Sequence, residues 1–155
     1  TLGEAHPQVA TSLNNIGKVY EDQGKLEPAL ENMQKSLAIR RATLGEAHPD
    51  VAISLNNIAA VYYEQGNFER ALEQMQKSLA IQRATLGEAH PDVASSLNNI
   101  AFVYEEQGNH AEALALFERS LGIRESTLGP EHPDTVTVRE SVRLAAISSS
   151  AAASQ

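Results

Sequence analysis

The sequence predicts an all-α solenoid of stacked helical hairpins, and three observations predict it. A His-Pro pair recurs at His6, His48, His90 and His132, every 42 residues along a chain of 155. Each period contains two stretches whose apolar residues fall at helical spacing. A lone glycine separates the two stretches, and another closes the period. A fixed period of this size marks an array in which one supersecondary unit is repeated and neighbours bury each other's apolar faces.

The units run over residues 1–42, 43–84 and 85–126, with a partial fourth over 127–147. In the second unit the first stretch reads PDVAISLNNIAAVYYEQG. Val51, Leu55, Ile58, Ala59 and Tyr62 lie on one helical face, and Gly66 stops the helix. The second stretch, NFERALEQMQKSLAIQRATLG, offers Phe68, Ala71, Leu72, Met75, Leu79 and Ile81 for burial and ends at Gly87. The motif LGEAHPDVA is then a stop-and-start signal. Its glycine releases one helix and its proline opens the next, where the missing N–H costs nothing. Asp50 suits the helix N-terminal dipole, and His48 falls at or beside the N-cap.

The fourth unit departs from this pattern. Arg139 replaces the core leucine, Glu140 and Ser141 replace an Asn pair, and Arg143 replaces a small core residue, while Val138, Val142 and Ala145 still face the third unit. That reads as a capping helix with its polar face outward. Residues 148–155, rich in Ser and Ala, read as a frayed or disordered tail. The chain opens inside a copy of the motif and on Thr1, so it reads as a piece of a longer protein.

Composition narrows the function. There is no cysteine, hence no thiolate metal site and no cysteine nucleophile, which suits a reducing, cytoplasmic setting. No apolar run has the length of a membrane span. The net charge of −8 and the scattered Lys and Arg oppose binding to nucleic acid or to an anionic membrane, and favour a neutral or basic protein partner. Four histidines in equivalent positions stand at least the ~8–10 Å of helix packing apart, too far to share one metal ion. His110, standing where the second unit has Phe68, reads as a tolerated substitution. The pairs Glu21-Asp22 and Glu105-Glu106 read as solvated helix ends rather than catalytic carboxylates, because nothing encloses them to separate their pKa values. No Gly-rich phosphate loop and no recurrent Ser/His/Asp set is present. No enzyme activity, cofactor or metal is expected.

Leu55, Ile58-Ala59, Tyr62, Gly66, Ala71, Met75 and Ser78-Leu79 follow the order of signature positions in a tetratricopeptide repeat, and the first and third units carry the series with Gly17 in place of Ala59 and Phe117 in place of Met75. The chain resembles tetratricopeptide proteins, in particular the 42-residue subclass found in kinesin light chains, over residues 1 to about 147. The resemblance implies a right-handed α-α superhelix of three hairpins plus a C-terminal capping helix. It also implies a non-catalytic adaptor or scaffold that binds protein in a concave groove lined by the first helices. The eight residues beyond the usual 34 lengthen the second helix by about two turns. Gly17, Ala59 and Ala101, opposite Ala29, Ala71 and Ala113, keep the two helices of each hairpin close.

Comparing the units with one another locates candidate binding residues. Thr11/Ile53/Ser95, Lys18/Ala60/Phe102, Glu21/Tyr63/Glu105 and Asp22/Glu64/Glu106 vary on one face of the first helices. Between them stand the unchanged pairs Asn14-Asn15, Asn56-Asn57 and Asn98-Asn99. Such amides offer donors and acceptors to the backbone of an extended peptide, as groove asparagines do in the family; alternatively they bridge to the neighbouring helix. The candidate peptide-binding set is Asn14, Asn15, Lys18, Asn56, Asn57, Tyr63, Glu64, Asn98, Asn99, Phe102 and Glu106. Its chemistry suits a peptide with an apolar anchor and basic flanks. The other partner expectation is self-association through exposed end repeats, as a structural spacer.

Overall fold

The computed structural model describes Gly3 and residues 6–154. Among them are seven helices: α1 (Pro7–Asp22), α2 (Leu26–Leu44), α3 (Pro49–Glu64), α4 (Phe68–Leu86), α5 (Pro91–Glu106), α6 (His110–Leu128) and α7 (Pro133–Ala152). No strand occurs among the described residues. The chain divides into two compact units, residues 1–81 and 82–155.

Every first helix starts in the same way. His6, His48, His90 and His132 are N-caps in extended conformation, each followed by a proline in the first turn. The imidazole Nδ1 accepts from the N–H two residues on: Gln8 at 3.2 Å, Asp50 at 3.1 Å, Asp92 at 3.1 Å and Asp134 at 3.2 Å. Histidine thus does the work usually given to Asn, Asp or Ser, supplying an acceptor for an otherwise orphaned amide. Helices α1 to α6 each end within two residues of a glycine with positive φ. At Gly66, φ is +71°, and Asn67 N–H donates to Tyr62 O at 2.8 Å, so the turn uses a backbone region that side-chain-bearing residues rarely adopt. The second helices α2, α4 and α6 run 19 residues against 16 for α1, α3 and α5, placing the extra length where the repeat length implies.

In the first unit Ala29, Met33 and Leu37 of α2 pack with Val51, Leu55, Ile58, Val61 and Tyr62 of α3 and Ala71 of α4. The tightness of the hairpin is visible at Gly17: a methyl group there would lie 2.7 Å from Met33 Cγ and 3.1 Å from Ala29 O. Two further links hold α2 to α3. Arg40 Nη1 donates to Ser54 Oγ at 2.8 Å and to Asp50 O at 3.1 Å, and Gln34 Nε2 donates to Tyr62 Oη at 3.3 Å. Phe68, Met75 and Ile81, expected in the core, are only partly buried; the buried residues of α4 are Ala71, Leu72, Ser78 and Leu79.

In the second unit Ala101, Ala113, Phe117 and Ala145 form the centre, with Tyr104, Leu114, Leu116 and Val142 packed around it. Val138 and Ala145 of α7 are buried as expected of a cap. Arg139, in the place of the core leucine, instead donates to Glu125 Oε1 at 2.9 Å and to Pro130 O at 3.1 Å, fastening the loop before α7. Arg124 is 9% exposed and reaches Ser95 Oγ at 3.1 Å and Asp134 at 3.4 Å.

Two expectations about α7 are corrected. Its outward face is not wholly polar: Val136, Leu144 and Ile147 are 47%, 52% and 57% exposed. The helix also continues through Ala152, past the expected start of the frayed tail, as alanine's high helix propensity permits. Gln155 lies outside the described residues.

Candidate peptide-binding face of the first helices

In the first unit the candidate residues come from α1 and α3. Asn14, only 7% exposed, accepts at Oδ1 from Asn57 Nδ2 at 3.0 Å. The second asparagine of one repeat is thereby tied to the first asparagine of the repeat before it. Asn15 and Lys18 are exposed, and Asn56 and Asn57 are half-buried. At the far end of the same face stand Glu21, Asp22 and Glu64. Burial raises the Glu21 pKa above 4.5, repulsion from Glu64 adds to this, and Lys18 works against it. Glu21 is therefore not the freely solvated carboxylate expected. Tyr63 is 38% exposed, with its ring centroid 5.5 Å from that of Phe68 across the hairpin turn. Ile53 is 53% exposed nearer the start of α3.

In the second unit α5 carries Asn98, Asn99, Phe102 and Glu106. Asn99 and Glu106 are exposed, Asn98 is half-buried, and its Oδ1 is buried without a hydrogen-bond partner. Phe102 is 47% exposed, and its ring meets Phe117 edge-on at 5.1 Å between centroids. Glu105 and His110 stand where the preceding repeat has Tyr63 and Phe68. They form a contact of their own, His110 Nδ1 to Glu105 Oε2 at 3.0 Å. His110 is thus more than a tolerated substitution, and Glu105 is a half-buried partner rather than a solvated helix end.

Two residues on this face escaped the sequence comparison. Leu144 and Ile147 of α7 sit 42 residues after Phe102 and Glu105, so they continue the first-helix face of the unit with apolar groups more than half exposed. The 42-residue register was signal enough to find them. Among the described residues no three His, Asp or Glu side chains assemble as metal ligands. A cleft of about 310 Å³ in the first unit is lined by Leu37, Arg41, Ile58 and Tyr62 among others, and none of the candidate residues lines it.

A tetratricopeptide repeat family model matches residues 8–84, 50–126 and 92–142, nearly the whole described chain. The chain belongs to the tetratricopeptide repeat family. No curated protein matches it. Among solved structures it is similar to a kinesin light chain-like protein of Podosopora anserina with nearly identical TPR-like repeats. That likeness has 28% identity, covers 94% of this chain and 69% of the other, and has a TM-score of 0.79. It is also similar to BtubC (BKLC) from P. vanneervenii, at 24% identity over 94% of this chain and 58% of that one, with a TM-score of 0.84. The N-terminal domain of stress-induced protein-1 from C. elegans shares the fold at 20% identity and a TM-score of 0.65, over 90% of this chain and 98% of that one. The 42-residue tetratricopeptide units of the present chain are of the kinesin-light-chain-like kind. Tetratricopeptide repeats generally mediate protein–protein interaction and scaffolding. Among the described residues of this tetratricopeptide chain, no helix is long and apolar enough to cross a membrane.

Proposed function

We propose that this chain is a non-catalytic adaptor segment that binds a peptide, extended or helical, along the face of its first helices. The observation that carries this reading is the exposure of Phe102 on α5, of Leu144 at the corresponding position of α7 and of Ile147 one turn further on, the kind of apolar surface that a fold presents when something docks there. The ligand best suited has an apolar anchor for that surface and basic flanks. Glu106 edges the apolar face in the second unit, and Glu21, Asp22 and Glu64 give the first unit an acidic end.

The exposed amides of Asn15 and Asn99, with Asn56 and Asn98, supply donors and acceptors for a ligand backbone, while Asn14 and Asn57 are engaged with each other. Their bond prearranges the face rather than gripping the ligand.

The test is a peptide-array screen on the chain, followed by titration of the best peptide into three variants. Phe102→Ala is expected to weaken binding at least tenfold, Glu64→Lys to weaken peptides in proportion to their basic charge, and Asn56→Ala with Asn98→Ala to weaken all peptides alike. Melting temperature is measured for each. Binding that ignores all of these substitutions would place the ligand elsewhere.

A further inference from the structure

The cleft of about 310 Å³ in the first unit has a charge opposite to that of the chain. The charged residues lining it, Arg41 of α2 and Lys77 of α4, are both cations, while the net charge of the chain is −8. Gln34 and Gln74 bring side-chain amides to the same walls, and Tyr62 brings a hydroxyl. That hydroxyl accepts from Gln34 Nε2 at 3.3 Å and keeps its own proton to donate. The buried side chains of Leu37 and Ile58 supply the apolar part of the lining. The fold does not demand this set. In the third repeat Glu118 and Glu125 take the places of Gln34 and Arg41, and Leu116 takes that of Gln74. The two cations also show what they hold. Arg41 Nε pairs with Glu46 Oε2 at 2.9 Å, and Lys77 Nζ pairs with Glu73 Oε1. Both carboxylates are well exposed, and exposed pairs of this kind contribute little to stability. A guanidinium and an ammonium each have donors for more than one carboxylate, so a further one is accepted at small cost.

We propose that this cleft is a second binding site, which takes one glutamate side chain from an otherwise neutral segment of a partner protein. The carboxylate seats between Arg41 and Lys77, with the amides of Gln34 and Gln74 and the Tyr62 hydroxyl as further donors. The methylenes of the glutamate lie against Leu37 and Ile58, as the stems of charged side chains do on apolar surface. A segment acidic along its whole length is repelled by the field of a chain of net charge −8. The negative charge of the ligand is therefore concentrated at the cleft. None of the first-helix candidates lines the cleft, so this site does not rest on peptide binding by that face. The two surfaces differ in sign, one acidic at its edge and one cationic, and so select different partners.

The experiment titrates the chain with the capped peptide Ala-Leu-Glu-Leu-Ala and follows the amide NMR signals. The side-chain amides of Gln34 and Gln74 are expected to shift, and the matched peptide with Gln in place of Glu is expected to bind about tenfold more weakly or worse. Arg41→Gln with Lys77→Gln should cost a similar factor, and Phe102→Ala should leave binding unchanged. Charge reversal, Arg41→Glu with Lys77→Glu, should transfer preference to the peptide Ala-Leu-Lys-Leu-Ala, a gain that a merely structural role would not produce. Raising the salt concentration should weaken the glutamate peptide and not the glutamine one. Absence of shifts at millimolar peptide, or equal binding of the two peptides, would overturn the proposal. Acetate or inorganic phosphate that binds as tightly as the glutamate peptide would overturn it too, because the cleft would then hold any small anion. So would a doubling of mass with concentration that Arg41→Gln with Lys77→Gln abolishes, since the occupant would be a second copy.

Discussion

The side-chain amide of Asn57 donates to the side-chain oxygen of Asn14 across 3.0 Å, joining the first helices of two successive hairpins. Asn14 is nearly buried, so its oxygen loses a partner whenever Asn57 is removed. Asn57→Ala should cost about 1–3 kcal/mol, the penalty for an unsatisfied buried polar group. A double-mutant cycle with Asn14→Ala in urea unfolding should return a coupling of about 0.5 kcal/mol or more. Strict additivity would mean that the pair does not link the hairpins.

The N-caps give a second test. His48 Nδ1 accepts from the Asp50 N–H at 3.1 Å. His48→Ala should destabilise by about 0.5–2 kcal/mol, and His48→Asn should recover most of the loss, because it restores an acceptor at the same place. Thermal melts of the three proteins separate capping from any other role of the imidazole.

Thr135 is fully buried, and its hydroxyl has no hydrogen-bond partner. The repeats before it carry Val51 and Val93 at the same position, both fully buried. Thr135→Val should therefore stabilise the chain by about 1–3 kcal/mol, as removal of an unpaired buried hydroxyl does. A fall in melting temperature would mean that the hydroxyl is hydrogen-bonded in solution.

Glu21 has its pKa raised above 4.5, first by burial and then by Glu64. The folded chain thus holds this proton more tightly than the unfolded chain. The contribution is favourable below the ordinary glutamate pKa and is lost as pH rises through the folded value. Glu21→Gln should therefore raise stability at neutral pH, and the gain should shrink to nothing as pH falls below 4.5. Unfolding curves at several pH values check the direction.

The hairpin turn of the second repeat is clasped by Tyr63 and Phe68, and that of the third by Glu105 and His110. Installing the aromatic pair, Glu105→Tyr with His110→Phe, should raise stability by about 0.5–1.5 kcal/mol over the sum of the single substitutions. The measurement is a cycle of four melting curves.

The hairpins were legible because their signals are local. Pro and His mark each start, Gly each stop, and the apolar spacing each buried face. The binding face was legible only in outline. Asn14 and Asn57 look the same in sequence whether they meet a ligand or each other, since a conserved spacing between repeats satisfies both. Leu144 and Ile147 were passed over because Arg139, Glu140 and Arg143 beside them pointed to a polar exterior. The departure of Glu105 and His110 from Tyr63 and Phe68 could be seen as two separate changes, but their contact depends on how the turn folds back.

Ser36, Ser78 and Ser120 each donate a buried hydroxyl to the carbonyl 26 residues earlier, at Ala10, Ala52 and Ala94. Each latch closes inside its own repeat, so this one bond can form before the next hairpin has been made. At about 5–20 residues per second, the 42 residues of the next repeat take about 2–8 s to appear. Single helices form, and short loops close, within about a microsecond. Synthesis is therefore slow enough for each hairpin to set its own latch before the next repeat is complete, while its outward apolar face waits for the neighbour that follows.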